Sequence, residues 1–311
     1  MKTLLLIDGN ALMHRAYHAL PPLTTKKGVP TNIVYGFFNM IYKAMQDFQP
    51  EYMAICFDTP AKTFRQKLHK EYQSHRPDLK DDFRIQIPIL KDLIDLVPLY
   101  RAEQDGLEAD DIIGTLSKKI DGDVKTLILT GDKDIMQLVN SHVFVLTPEI
   151  GFSKTKLYDK EAVKEKLGIE PERIPDYKAL VGDPSDNYKG AGGIGPKTAL
   201  TLLAQFGTVE NMLEHIDEIK NERQRETIRK NVKEIELSKE LAVIVTNAKV
   251  DFSLEKAEFN GFSEELKVKL EELEMNSLLR KFYDQKPPIA KKEIKKPVKK
   301  VKTPQEQIDL F

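Results

Sequence analysis

Aspartates close three of the short apolar runs in this sequence. Asp8 follows Leu4 to Ile7, Asp58 follows Ile55 to Phe57, and Asp132 follows Leu127 to Gly131, with Asp134 two residues on. Glu108, Asp110 and Asp111 crowd the first turn of a predicted helix, and Asp183 and Asp186 form a further close pair. Each group alone has a plain structural use, as a favourable charge at a helix start or as a turn former. Together they are harder to place, because carboxylates gathered at one edge repel unless protons or cations offset them. With no Cys or His cluster beside them, such oxygen ligands favour magnesium or manganese over zinc. Two or more ions of that kind activate water and orient a phosphodiester, so the implied chemistry is metal-assisted phosphodiester hydrolysis. The competing metal and aspartate chemistry passes through an aspartyl-phosphate intermediate. Its usual second aspartate, two residues after the first, is replaced here by Asn10.

The apolar runs must place these acids. Thr3 to Asp8, Tyr52 to Asp58, Lys125 to Thr130 and Val143 to Thr147 read as buried strands, with helical patterns over Ile33 to Phe48, Asp82 to Leu96 and Glu108 to Ile120. That alternation predicts an α/β domain with a central, mostly parallel sheet, whose functional groups collect at the carboxyl ends of the strands. Beyond about residue 170 the strand signals fade and charged helical patterns run to about residue 283, with one extended stretch near Lys249 to Phe252.

Residues 190 to 195, Gly-Ala-Gly-Gly-Ile-Gly, match a dinucleotide-binding fingerprint only in letters. No strand precedes them, as that fold requires; Asp183 to Asn187 does. Ile174 to Val181 is a helical pattern, Pro196 opens another that includes Thr198 to Phe206, and Gly207 closes it. A helix, a glycine hairpin and a second helix present backbone N–H groups and a helix N-terminus to a phosphate, with Lys197 adding charge. A tight turn between two helices would also use these glycines, and proximity to Asp183 and Asp186 favours the DNA anchor.

Composition narrows the class. The chain has 311 residues, 41% of them hydrophobic, and 48 basic residues nearly cancel 49 acidic ones, for a formal charge of −1. The Leu4 to Ile7 run is too short for a signal peptide and no later run spans a bilayer, so the expectation is a cytoplasmic, nucleoid-associated protein with no membrane partner. The single Cys56 lies in an apolar stretch and forms no internal disulfide. Residues 286 to 302 hold eight lysines and one acid, Glu293, and read as a disordered basic tail.

Taken in order, Leu6-Ile7-Asp8-Gly9-Asn10, Phe57-Asp58-Thr59 with Phe64-Arg65, Tyr72 to Pro77, Leu107 to Asp111, Thr130 to Asp134, Gly182 to Asn187 and Gly193 to Ala199 carry a resemblance. Over residues 3 to 210 the sequence resembles the 5′ nuclease family that includes the N-terminal domain of bacterial DNA polymerase I, phage 5′ exonucleases and flap endonucleases. The resemblance implies a PIN-like α/β fold followed by a helical region with a helix-hairpin-helix. It also implies structure-selective 5′-3′ exonuclease and 5′ flap endonuclease activity on nicked or branched DNA, in removal of RNA primers and flaps. Asp8, Asp58, Glu108, Asp110 and Asp111 would hold one metal, and Asp132, Asp134, Asp183 and Asp186 the second. A potassium ion would sit at the hairpin.

By the same resemblance, residues 64 to 90 form an arch through which a 5′ single strand passes. Tyr72 would stack on a base and Arg76 would neutralise the phosphate, making it a catalytic residue. Arg15, Gly193, Gly195, Lys197 and Thr198 join them as DNA-binding residues. Gln73 stands where many relatives carry a lysine, with Lys70, His75 or Arg76 as substitutes. The expected division is a nuclease domain over 1–172, a helical DNA-binding region over 173–285 and the tail over 286–311. With no polymerase domain following, the chain reads as a free-standing, monomeric nuclease that relies on a separate DNA polymerase and ligase. The terminal Gln307-Ile308-Asp309-Leu310-Phe311 resembles the peptide by which bacterial replication proteins dock on the β sliding clamp, through Gln307, Leu310 and Phe311. The alternatives are an RNA-cleaving nuclease on a related acidic sheet, which the hairpin argues against, and a non-catalytic junction-binding protein, which the full set of acids argues against.

Overall fold

A computed structural model describes residues 1–120, 122–149 and 154–284. The lysine-rich stretch and the clamp-like peptide with Gln307, Leu310 and Phe311 lie outside the described residues.

The continuous apolar runs form the strands they predict. β1 (Lys2–Asp8) is followed by α1 (Gly9–Ala19), α2 (Asn32–Phe48) and β2 (Tyr52–Phe57). Next come α3 (Phe64–Leu68), α4 (Asp81–Ile94), β3 (Tyr100–Glu103), α5 (Ala109–Lys119), β4 (Val124–Leu129), β5 (Val143–Pro148), β6 (Thr155–Tyr158) and α6 (Lys160–Leu167). The sheet order is β3-β2-β1-β4-β5-β6, parallel except for the antiparallel β6. Because β2 and β3 extend one way from β1 while β4 and β5 extend the other, the crevice between the carboxyl ends of β1 and β4 is the topological switch point.

Alternation along each strand divides the core between the two sheet faces. Leu4, Leu6, Ala54, Cys56 and Ile128 point to one side, where they join Ile112, Ile113 and Leu116 of α5. Leu5, Ile7, Met53, Ile55, Phe57, Leu127 and Leu129 point to the other, where α1, α2 and α4 cover them with Leu12, Phe37, Phe38, Leu90 and Leu93. Two strands escape the pattern. β3 reads Tyr-Arg-Ala-Glu and β6 reads Thr-Lys-Leu-Tyr, each four residues long and only partly buried, so neither carries a strand signal.

After α6 the chain forms α7 (Ile174–Val181), α8 (Pro196–Phe206), α9 (Val209–Glu214), α10 (Glu222–Lys230) and α11 (Val232–Ala242). Ile174, Tyr177 and Leu180 of α7, with Leu202, Leu203 and Phe206 of α8, extend the core of the α5 face. The stretch over Lys249 to Phe252 forms no strand; Phe252 instead packs edge-on to Tyr100. α12 (Glu264–Glu272) and α13 (Asn276–Leu279) do not stay with the helices before them. Leu266, Leu270, Met275 and Leu278 cross to the opposite sheet face and bury among Phe37, Phe38 and Leu93. The last part of the 173–285 region thus packs with the sheet, adding to the cover that α1, α2 and α4 give that face. Among the described residues no helix is long and apolar enough to cross a membrane.

Candidate metal centre and nucleic-acid interface

The switch-point crevice is built from strand ends. Asp8 ends β1 and caps α1, its carboxylate accepting from the Ala11 N–H (2.9 Å) and from the Thr130 hydroxyl across the crevice (2.6 Å). Asn10 accepts the Asp58 N–H (3.0 Å), and Asp58 in turn accepts the Ala109 N–H at the start of α5 (2.7 Å). These links fix the ends of β1 and β2 and the start of α5 as one frame. Asn10, the residue that argues against aspartyl-phosphate chemistry, thus has a positioning use.

Crowding shows in the ionisation of the acids. Burial pushes Asp8 up to about 6, with Asp58 adding repulsion. Asp58 is raised by burial, against the help of the Ala109 N–H. Burial lifts Glu108 to about 7 despite the Arg65 guanidinium beside it. Asp110 is raised well above the usual carboxylate range, by burial and then by Asp132, Asp8 and Asp58, and it accepts no hydrogen bond among the described residues. Asp132 opens to solvent on one side but is hemmed by protein on the others; that enclosure, then Asp8, raises it too.

Asp111 behaves otherwise. It is fully buried, and Arg65, itself 2% exposed, donates to both its oxygens (2.8 and 2.9 Å). The Glu108 and Val245 N–H groups take the remaining acceptor sites (3.1 and 2.9 Å). Arg65 also donates to the Leu241 and Val243 carbonyls (both 2.8 Å), so the pair joins α3, α5 and the segment after α11. A carboxylate enclosed in this way is satisfied by protein and has no free oxygen for a cation.

Across the crevice, Asp134, Asp183 and Asp186 bring ligand oxygens within 4.8 Å of one another. Asp134 opens a short 3-10 turn, and Asp183 and Asp186 belong to a loop closed by paired backbone bonds between Asp183 and Tyr188 (2.8 and 3.1 Å). Lys178, in the last turn of α7, bridges Asp134 and Asp183. Burial opposes its ammonium, but the two carboxylates prevail and raise it. Burial likewise opposes Asp183, yet Lys178 and Ser185 hold it below the usual carboxylate range. Burial lifts Asp134 to about 7 in spite of Lys178. Sequence reasoning missed both Lys178 and the structural use of Arg65. A lysine in a last helical turn is ordinary, and nothing local marks either one's distant partners.

Side chains from the segment expected to form the arch converge on Asp186. Arg76 donates to it at 2.6 Å and Gln73 at 3.0 Å, while the Tyr72 hydroxyl bridges it and Glu108 (both 3.2 Å). Tyr72 is only 4% exposed and packs with Tyr188, Leu241 and Ala242. The ring is enclosed and its hydroxyl joins the two acidic groups. Arg15 lies near Gly131, its Nε buried with no hydrogen-bond partner.

Beside this loop runs the glycine hairpin. Gly182 and Gly190 have φ of 78° and 61°, and their backbones touch so closely that a Cβ on Gly190 would come within 2.4 Å of the Gly182 nitrogen. Gly193, φ 97°, is exposed at the tip, and Gly195 precedes α8 with no side-chain cap, leaving that helix start open with exposed Lys197 and half-buried Thr198.

Comparison with known proteins agrees with this architecture. A sequence profile of the 5′-3′ exonuclease N-terminal resolvase-like domain matches residues 3–168, and one of the 5′-3′ exonuclease C-terminal SAM fold matches residues 169–265. A 5′-3′ exonuclease of Aquifex aeolicus is 40% identical over 282 residues, covering 90% of this chain and 95% of that protein. DNA polymerase I of Bacillus subtilis is 40% identical over 282 residues, covering 90% of this chain but 32% of the polymerase. In fold, the chain is similar to a bacteriophage T5 flap endonuclease in a pseudo-enzyme-product complex with DNA and metal ions, with a TM-score of 0.64 at 15% identity, over 91% of this chain and 97% of that one. The catalytic core of Rad2 in complex with a DNA substrate gives a TM-score of 0.58 at 16% identity, over 89% and 91%.

Proposed function

The chain belongs to the 5′-3′ exonuclease family, and on that premise we propose that it is a magnesium- or manganese-dependent 5′-3′ exonuclease and 5′ flap endonuclease acting on nicked or branched DNA. The observation that carries the reading is the approach of Asp134, Asp183 and Asp186 within 4.8 Å, opposite a second group of carboxylates raised by burial and mutual repulsion. An all-carboxylate donor set with no thiol or imidazole fits hard divalent cations. Asp8, Asp58, Glu108 and Asp110 would hold one ion, and Asp132, Asp134, Asp183 and Asp186 another. Bound there, such ions supply Lewis acidity toward the phosphodiester and make water a competent nucleophile near neutral pH.

The chain's own residues do the rest. Water's oxygen bonds to phosphorus as one ester P–O bond breaks, and the departing oxygen takes up a proton. Arg76, 55% exposed at its side chain, faces the site and offsets the developing charge, and the half-buried Arg15 adds positive charge beside Gly131 for a neighbouring phosphate. The hairpin from Gly190 to Lys197 grips duplex backbone without reading bases, with potassium as its companion ion. The terminal peptide would tether the enzyme to a sliding clamp near lagging-strand junctions, where a polymerase and a ligase complete the repair. A 5′-labelled double-flap DNA tests the reading. Wild type with magnesium should cut near the junction, while Asp132→Ala and a metal-free control should not; binding without cutting under every divalent metal would leave a junction-binding protein.

A further inference from the structure

The Gly182 to Asn187 motif contains one residue with no part in the site as described so far. Asn187 follows Asp186 and adopts the left-handed conformation, φ 61°, as does Gln73 opposite it, φ 56°. Asparagine tolerates that region better than glutamine, because its short amide bonds locally. Here, however, the Asn187 amide reaches across the molecule. It donates to the Glu71 carbonyl (2.8 Å) and the Ser74 hydroxyl (3.2 Å), while the backbone carbonyl of Asn187 faces His69 Nε2 (3.3 Å). The neighbouring Asp186 carbonyl accepts the Gln73 N–H at 3.0 Å. Residues 69 to 76 are therefore pinned to the loop by contacts on both sides of Gln73, and those contacts bring Tyr72, Gln73 and Arg76 onto the Asp186 carboxylate.

We propose that Asn187 is a positioning residue: its side-chain amide holds the base of the arch against the metal-binding loop, so that Arg76 and Tyr72 meet Asp186 in register. Asn187 touches no substrate in this role. It acts through the turn from Glu71 to Ser74, whose carbonyl and hydroxyl oxygens both accept, so that the two N–H donors of one amide group serve them together. Small displacements at a reacting centre are costly in rate, whereas the glycine hairpin that grips the duplex lies beyond this contact and should not sense its loss. The inference rests on the nuclease reading of Asp186.

Asn187→Gly is the deciding variant, because glycine keeps the left-handed backbone and removes only the amide. The expected result is a kcat on the double flap lowered about tenfold, with KM and the affinity for metal-free nicked duplex unchanged. Without metal or DNA, the Gln73 amide should lose hydrogen-exchange protection while the core strands keep theirs. Asn187→Asp, which cannot donate and adds a charge beside Asp186, should fall at least as far, and Ser74→Ala less. Unchanged kcat and unchanged Gln73 protection would overturn the proposal. So would a loss of activity matched by loss of duplex affinity and of core protection, since Asn187 would then merely support the fold. If wild type itself leaves the flap uncut, the nuclease reading fails, and the exchange experiment still decides whether Asn187 holds the arch.

Discussion

On the sheet-edge side of the crevice, Asp8 is held by a hydroxyl and a backbone N–H, and Asp110 by no hydrogen bond among the described residues. On the loop side, Asp134, Asp183 and Asp186 meet Lys178 and Arg76 directly. The first group is left with uncompensated repulsion, which burial makes worse; the second carries its own cations. The difference teaches that the sheet edge is the side that most needs an external cation, while the loop side is prearranged with charges that a bound ion and a phosphate must share. Asp111 adds a third condition one residue from Asp110, a carboxylate already neutralised by Arg65.

The contrast can be broken most forcefully at Asp111. Replacing it with alanine strands a buried guanidinium, and the unfolding free energy in urea should drop by about 3–5 kcal/mol. A variant as stable as wild type would mean that the Arg65 pair is no anchor. Asp110→Asn should do the opposite. Removing an uncompensated charge should raise the melting temperature of the metal-free protein while cutting flap cleavage by about 10²-fold or more, the equivalent of several kcal/mol of metal assistance. If cleavage survives, the open carboxylate is not a ligand.

A gentler probe is pH. Asp8 at about 6 and Glu108 and Asp134 at about 7 lie above their unfolded values, so the folded state binds more protons than the unfolded one through that window. The stability these acids contribute to the metal-free protein should thus be full below about pH 4 and be lost as pH rises through about 7, by a few degrees in melting temperature. Excess magnesium should flatten the slope, and a slope that persists unchanged with magnesium would separate these acids from the metal. The smallest expected effect is at the hairpin. Gly193→Ala places a Cβ at φ 97°, costs about 1 kcal/mol and should weaken nicked-duplex binding roughly fivefold while leaving the crevice intact.

Much of this arrangement is legible in the chain itself. Apolar runs of four to six residues ending in Asp8, Asp58 and Asp132 announce both the strands and the edge where acids gather, because a parallel sheet buried on both faces needs uninterrupted hydrophobic residues. The hairpin is equally plain, since its glycines, Pro196 and Gly207 are local devices of backbone geometry. α1 escapes notice because Gly9 and Asn10 open it and its polar face carries His14, Arg15 and His18.

The order of the elements, the edge where the acids gather and the place of the hairpin are therefore all consequences of local periodicity and turn chemistry. Which acids are free depends instead on contacts between segments far apart in the chain. Asp111 is withdrawn by an arginine 46 residues away that also binds carbonyls 176 and 178 residues further along the chain from itself. Such contacts likewise decide that Tyr72 points its hydroxyl between two carboxylates and that α12 and α13 return to the sheet domain. The physical reason is common to these cases: hydrogen-bond satisfaction and the covering of an apolar face are settled by partners that are distant in sequence, and no local pattern encodes them.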